Sequence, residues 1–267
     1  MLLMLLCLGA ALVVLLLSPV VLTVGRWQVR FPRIALTLWF AAFFVGCALA
    51  AGSVLAAILA GLTTEHTAGV EPVIVTVLAW LSLVATGAVI AIVAGVSEPL
   101  VGSHRAEVQA LTPLVSSREQ RQGFVIGHVV SDVPVAVAVR RPERMILVST
   151  GLMAALTPPQ LQAVLAHELA HLRGRHDWAM RIAEVNAACL PARLPAGSAL
   201  RRATALLIEL AADDAAARQA GAVHLANALT RLAELTGDVS MGLRAQRLAL
   251  RRWRPTHRLR VPEAVRL

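Results

Sequence analysis

Ile146–Asp177 reads ILVSTGLMAALTPPQLQAVLAHELAHLRGRHD, and the order of strand, cap and helix signals in it sets the fold of the water-compatible part of the chain. The apolar start, with the preceding "RM", has the β-branched character of a buried strand. Ser149 or Thr150 then caps a short helix running through Leu156. Thr157 followed by Pro158 opens a longer one, because a hydroxyl at the cap and proline at the first helical position both suit a helix start. Leu161, Val164, Leu165, Leu169 and Leu172 recur at helical spacing and mark its inward face.

His167-Glu168-Leu169-Ala170-His171 lies well inside that helix. Residues four apart project from one helical face, so the two imidazoles reach a single ion. Zinc suits two imidazoles and a carboxylate, and it keeps a fourth position for water. Glu168, next to the first imidazole, is placed to take a proton from that water and pass it to a leaving amine, which is peptide hydrolysis without a covalent intermediate. For the third ligand, His176 and Asp177 are unfavourable, since at about 100° per residue a continuous helix turns both away from His167 and His171. Glu209, in IELAADDAA on a separate helix, is the better candidate. Asp213, four residues further on the same face, can accept the free ring N–H of a ligating histidine, or it is simply a solvated acid beside Asp214.

Working outward, FVIGHVV and VPVAVAV in Phe124–Val139 read as short strands. Pro134 makes the second start late or lie at a sheet edge, and an accessible edge is how a protease holds an extended peptide. Upstream, Ser103–Ser117 has the spacing of a connector helix. Downstream, helices are expected from Trp178 to about Cys189, over Ala199–Gln219 and over Ala222–Leu235.

The N-terminal third has a different composition. Of the 267 residues, 57% are hydrophobic and 15% charged, and residues 1–97 hold only Arg26, Arg30, Arg33, Glu65 and Glu71 as charges. Three uncharged runs, 2–24, 34–62 and 73–96, each suffice for a membrane span of about 20 residues. No basic residue precedes the first run, so it reads as a retained span rather than a cleaved signal. The arginines of the first connection against the acidic second one predict an outside N-terminus and a cytoplasmic remainder. Such a chain is too apolar for low-complexity disorder, and Cys7, Cys47 and Cys189 are too scattered for a disulfide scaffold.

The segment Ile146–Asp177, together with the later Glu209 and Asp213, resembles membrane-embedded zinc metallopeptidases of the gluzincin kind, the M56 family of antirepressor-type sensor proteases and the related M48 family. The likeness extends over about 125–217. It implies one zinc ion on His167, His171 and Glu209, a catalytic Glu168, a multispan anchor and a cytoplasmic active site. Gluzincins often stabilise the oxyanion with a downstream tyrosine or histidine; this chain has no tyrosine, which leaves His224, His257 or an arginine.

The resulting expectation is a membrane α-helical region with three spans (1–97), an α+β zinc metalloprotease domain (98–240) and an arginine-rich tail (241–267). The tail reads as a solvated helix or as contact with anionic lipid through its arginines and Trp253. No helix-turn-helix or stacking module accompanies its charge, so nucleic-acid binding is not expected. The expected activity is endopeptidase cleavage of a protein substrate, such as a repressor-type regulator. A quality-control protease of the M48 kind and a non-catalytic scaffold that keeps zinc for structure are the alternatives.

Overall fold

The computed structural model describes residues 6–11, 27–63, 115–121, 123–140, 143–189 and 195–251, with scattered residues at 13, 14 and 18, between 73 and 91, and at 253. Two compact units partition the chain, one of residues 1–100 and 181–207, the other of residues 101–180 and 208–267.

In the first unit, helix α1 (Pro32–Thr63) follows a single turn at Trp27–Arg30. Its stretch Pro32–Ala56, 25 residues whose most apolar part has a mean hydropathy of 2.2, is the one helix among the described residues long and apolar enough to cross a bilayer. Only 11% of the most apolar part is buried within the protein, and side chains such as Ile34, Phe44 and Leu55 are exposed. An apolar surface of that kind is more compatible with lipid than with water. This helix covers the second expected span; of the run 2–24 only residues 6–11, 13, 14 and 18 are described, all helical, and of the run 73–96 only residues 73, 74, 76, 77, 80, 84 and 91, the rest lying outside the described residues.

The second unit is built on a four-stranded sheet of β1 (Val115–Arg121), β2 (Phe124–Val129), β3 (Ala136–Val139) and β4 (Met145–Ser149). The order is β1-β2-β4-β3, with β2 and β4 parallel and the outer pairs antiparallel. All of β4 is buried, which suits the apolar run Met145–Val148. β3 lies at an edge and begins at Ala136, two residues past Pro134, as the missing proline N–H requires. Val115–Ser117, expected to end the connector helix, instead belong to β1; the rest of that expected helix lies outside the described residues. The reason is tertiary: Gly123, at φ 86°, turns the chain so that Arg121 faces Phe124 and the polar SSREQR run pairs back along β2 as an exposed edge.

After the sheet come α2 (Thr150–Ala155), α3 (Pro158–Gly174) and α4 (His176–Cys189), then α5 (Pro195–Ala216). A π-helical turn at Ala217–Gly221 leads into α6 (Ala222–Thr236), which is followed by α7 (Val239–Leu250). Ser149 Oγ accepts from the Leu152 N–H at 3.1 Å and caps α2. The Gln160 side chain accepts from the Thr157 N–H at 2.9 Å and closes the start of α3.

Two apolar layers hold α3. Leu161, Val164, Leu169 and Leu172 pack with Ile126, Ile146 and Val148 of the sheet, while Ala163 and Ala166 pack with Leu225 and Leu229 of α6 and Leu248 of α7. The small alanines let the helices approach closely, and losing a buried side chain such as Leu169 costs about 2–5 kcal/mol. The expected boundary at residue 240 is therefore misplaced. Residues 239–250, set apart in the sequence as the start of a tail, form an amphipathic helix whose Ala245 and Leu248 are in this core.

Candidate metal centre

Packing on both sides of α3 fixes the direction of the side chains that leave it. His167 is buried, His171 and Glu168 are partly buried, and the two histidines face the C-terminal half of α5. His167 and His171 bring their Nε2 atoms to 3.0 Å, and Glu209 on α5 places its carboxylate oxygens 3.4 Å from the first and 3.5 Å from the second. One donor atom from each of these residues lies within 4.8 Å of the others. Among the described residues this is the one such group of histidine, cysteine and acid side chains.

Three electron-pair donors crowded in this way repel one another unless a positive charge is shared among them. Without a metal, the charge is a proton. Burial alone lowers the His167 pKa, but hydrogen bonding to Asp213 and Glu209 and the charges of Asp213 and Glu168 reverse the effect and raise it to about 9. His171 is driven the other way, to about 3, by burial and by the neighbouring His167 charge. Burial opposes ionisation of Glu209, yet His167 and Arg244 hold its carboxyl at about 2. Two imidazoles and a carboxylate are the donor set zinc prefers, with room for a fourth partner. The side chains present therefore fit the ion that the sequence motif implies.

Asp213 is fully buried, and its Oδ1 lies 3.0 Å from His167 Nδ1. The approach is oblique rather than linear, so the attraction is as much ionic as hydrogen-bonded. It favours the tautomer that carries its proton on Nδ1 and presents Nε2 to the cluster. A buried carboxylate needs compensation, which comes from Arg244 on α7: Nε donates to Oδ2 at 2.8 Å and Nη2 to Oδ1 at 2.7 Å. Despite its burial, the Asp213 carboxyl is held at about 2, chiefly by Arg244 and then by His167. Arg244 Nη1 also sits 2.9 Å from Glu209 Oε2, and Nη2 lies 3.4 Å from His167 Nε2. The guanidinium thus borders the metal-ligand cluster.

Glu168 is held from the opposite side. Its Oε2 accepts the Ala138 N–H of edge strand β3 at 2.9 Å. Burial raises its pKa to about 7, against the lowering effect of the His167 charge. A carboxyl poised there can take and return a proton near neutral pH.

Two expectations need correction and two fall elsewhere. His176 does not point away from the histidine pair: α3 stops at Gly174, Arg175 takes the left-handed conformation at φ 52°, and His176 begins α4 with its Nδ1 3.1 Å from His171 Nδ1. The rotation expected of a continuous helix does not apply once the helix ends. Arg244, assigned by sequence to the tail, is part of the site. Its signal was present in Arg244, Arg247 and Arg251, spaced three and four apart, which place one basic stripe opposite Asp213 and Asp214. His224 is exposed on α6 and makes no contact with the cluster, whereas His257 lies outside the described residues. The backbone N–H of Ala138 had no signal in the sequence.

Such a fold, with a paired-histidine helix under a sheet edge and an acid from a second helix, is of the metallopeptidase class. More narrowly, a model of peptidase family M48 matches residues 104–251, and the chain belongs to that family. M48 peptidases are zinc-dependent. No curated protein and no solved structure shows significant similarity to the chain.

Proposed function

We propose that this protein is a membrane-anchored zinc endopeptidase that cleaves protein substrates at the cytoplasmic face. The observation that carries the reading is the convergence of His167, His171 and Glu209 beside a Glu168 tethered to an edge strand. The long apolar surface of α1 and the arginine asymmetry of the first connection support the membrane placement and its orientation. Family membership favours protein substrates in general. Between a repressor-type regulator, suggested by the M56 likeness, and a damaged membrane protein, suggested by the M48 likeness, an experiment has to choose.

His167, His171 and Glu209 would hold the zinc ion, which supplies Lewis acidity toward the scissile carbonyl and acidifies water. The chain's own groups do the remaining work. The outer edge of β3 pairs with an extended peptide and brings its carbonyl alongside Glu168. With Oε2 held by Ala138, Glu168 takes the proton of the attacking water and returns it to the leaving amine nitrogen. Arg244 supplies cationic N–H groups where negative charge develops on the carbonyl oxygen, the part for which no tyrosine exists.

Glu168→Gln tests this reading in detergent-solubilised full-length protein, with zinc content and cleavage of unfolded protein substrates measured together. One zinc per chain with cleavage abolished is the expected outcome. Undiminished cleavage would remove Glu168 from the mechanism, and cellular function surviving the substitution would favour the non-catalytic scaffold.

A further inference from the structure

We infer that His176 is a positioning residue for the metal centre, holding His171 in the one tautomer and ring orientation that can ligate zinc; this rests on the reading of His167, His171 and Glu209 as zinc ligands. His171 meets the other two ligands through Nε2, 3.0 Å from His167 Nε2 and 3.5 Å from Glu209 Oε1. Its lone pair must be on that nitrogen, so the ring proton is on Nδ1. The partner of that proton is His176 Nδ1 at 3.1 Å, with the two rings edge to face, 4.9 Å apart and at 89°. Donation from His171 Nδ1–H makes His176 the acceptor, and His176 then carries its own proton on Nε2.

The backbone is arranged for this contact. The His176 ring lies over Gly174, where a β-carbon would stand 2.3 Å from His176 Nε2 and 2.6 Å from Cδ2. Arg175 in the left-handed region reverses the chain between them. The next residue, Asp177, is tied to Arg140, just past the end of β3, at 3.1 Å, which anchors the start of α4. Each imidazole ligand thus has its own outer partner: a carboxylate for His167 and a neutral imidazole for His171. The neutral partner orients without adding a second negative charge beside Glu209.

Three full-length variants test the assignment, with zinc affinity measured by chelator competition and the ligand field read from the visible spectrum of the cobalt-substituted protein. His176→Leu fills the space but cannot accept a hydrogen bond, and zinc affinity should fall 10–100-fold, as for other lost partners of metal-ligating histidines. His176→Asn offers its Oδ1 near the position of Nδ1 and should recover to within about threefold of wild type. Gly174→Ala leaves every ring in place chemically but pushes His176 off His171. It should weaken zinc binding and alter the cobalt spectrum while thermal unfolding of the metal-free protein stays unchanged. If His176→Leu does not fold, Gly174→Ala and His176→Asn still decide the matter. Wild-type zinc affinity and cobalt spectrum in both His176→Leu and Gly174→Ala would overturn the proposal. A wild-type protein that binds no zinc would instead overturn the reading on which it rests.

Discussion

Replacing Arg244 by methionine keeps the length of the side chain and removes the charge that compensates Asp213. That carboxylate has no exposed surface, and it takes two hydrogen bonds from the guanidinium at 2.8 and 2.7 Å. Its pKa is held at about 2 against an ordinary 3.8, which at about 1.4 kcal/mol per unit corresponds to roughly 2.5 kcal/mol of stability. Leaving one member of a buried ion pair without the other typically costs about 3–5 kcal/mol, and Glu209 loses its partner in the same step. At about 2–4 °C per kcal/mol for a domain of this size, metal-free Arg244→Met should melt roughly 10 °C below wild type at pH 7.5. The sign of the pH dependence follows from the depressed carboxyl. Its contribution is present above about pH 4 and is lost as pH falls through about 2. In the variant, burial acts unopposed by Arg244, so Asp213 takes up a proton at higher pH and the deficit narrows by pH 5.5. Thermal unfolding of the two single variants and the double variant, Arg244→Met, Asp213→Asn and both, gives the coupling directly. A coupling of at least about 2 kcal/mol is expected, and one below about 0.5 kcal/mol would refute the role assigned to the pair.

Two further expectations concern metal uptake and the loop beneath the sheet edge. Because His167 is protonated in the metal-free site, with its pKa near 9, zinc must displace that proton; apparent affinity should rise close to tenfold per pH unit from 6.5 to 8.5 and level off near 9, and a flat profile in chelator competition would contradict this. Gly151→Ala would put a β-carbon 2.2 Å from the Asp132 carbonyl oxygen, in the connection between β2 and β3, so a loss of about 1–3 kcal/mol and weaker substrate binding should appear together; an unchanged melting temperature would contradict it.

How much of this was legible in the sequence depended on whether the determining interaction was local. The start and inward face of α3 followed from Thr157-Pro158 and from the leucine spacing, and the edge position of β3 followed from Pro134, since each is a property of a few adjacent residues. Glu209 and Asp213 were readable because four-residue spacing on a helix survives any tertiary arrangement. Arg244 was not. A buried arginine and a solvated one look alike until the acids opposite are known, and Asp213 is thirty-one positions away. The place of His176 is not legible from helical rotation, which ends at Gly174, and whether a helix stops at a glycine is decided by what the next residues can dock against, here His171 and Arg140. The strand at Val115–Arg121 has a polar sequence because it is an exposed edge paired on one side, so the usual alternation is weak.

The central claim is that one zinc ion is held by two imidazoles of α3 and a carboxylate of α5. Zinc-edge anomalous diffraction from crystals of the full-length protein locates the ion without assumption. The expected result is a single peak within bonding distance of His167 Nε2, His171 Nε2 and a Glu209 carboxylate oxygen. A peak elsewhere, or Glu209 turned away from a metal held by the two histidines alone, would contradict it.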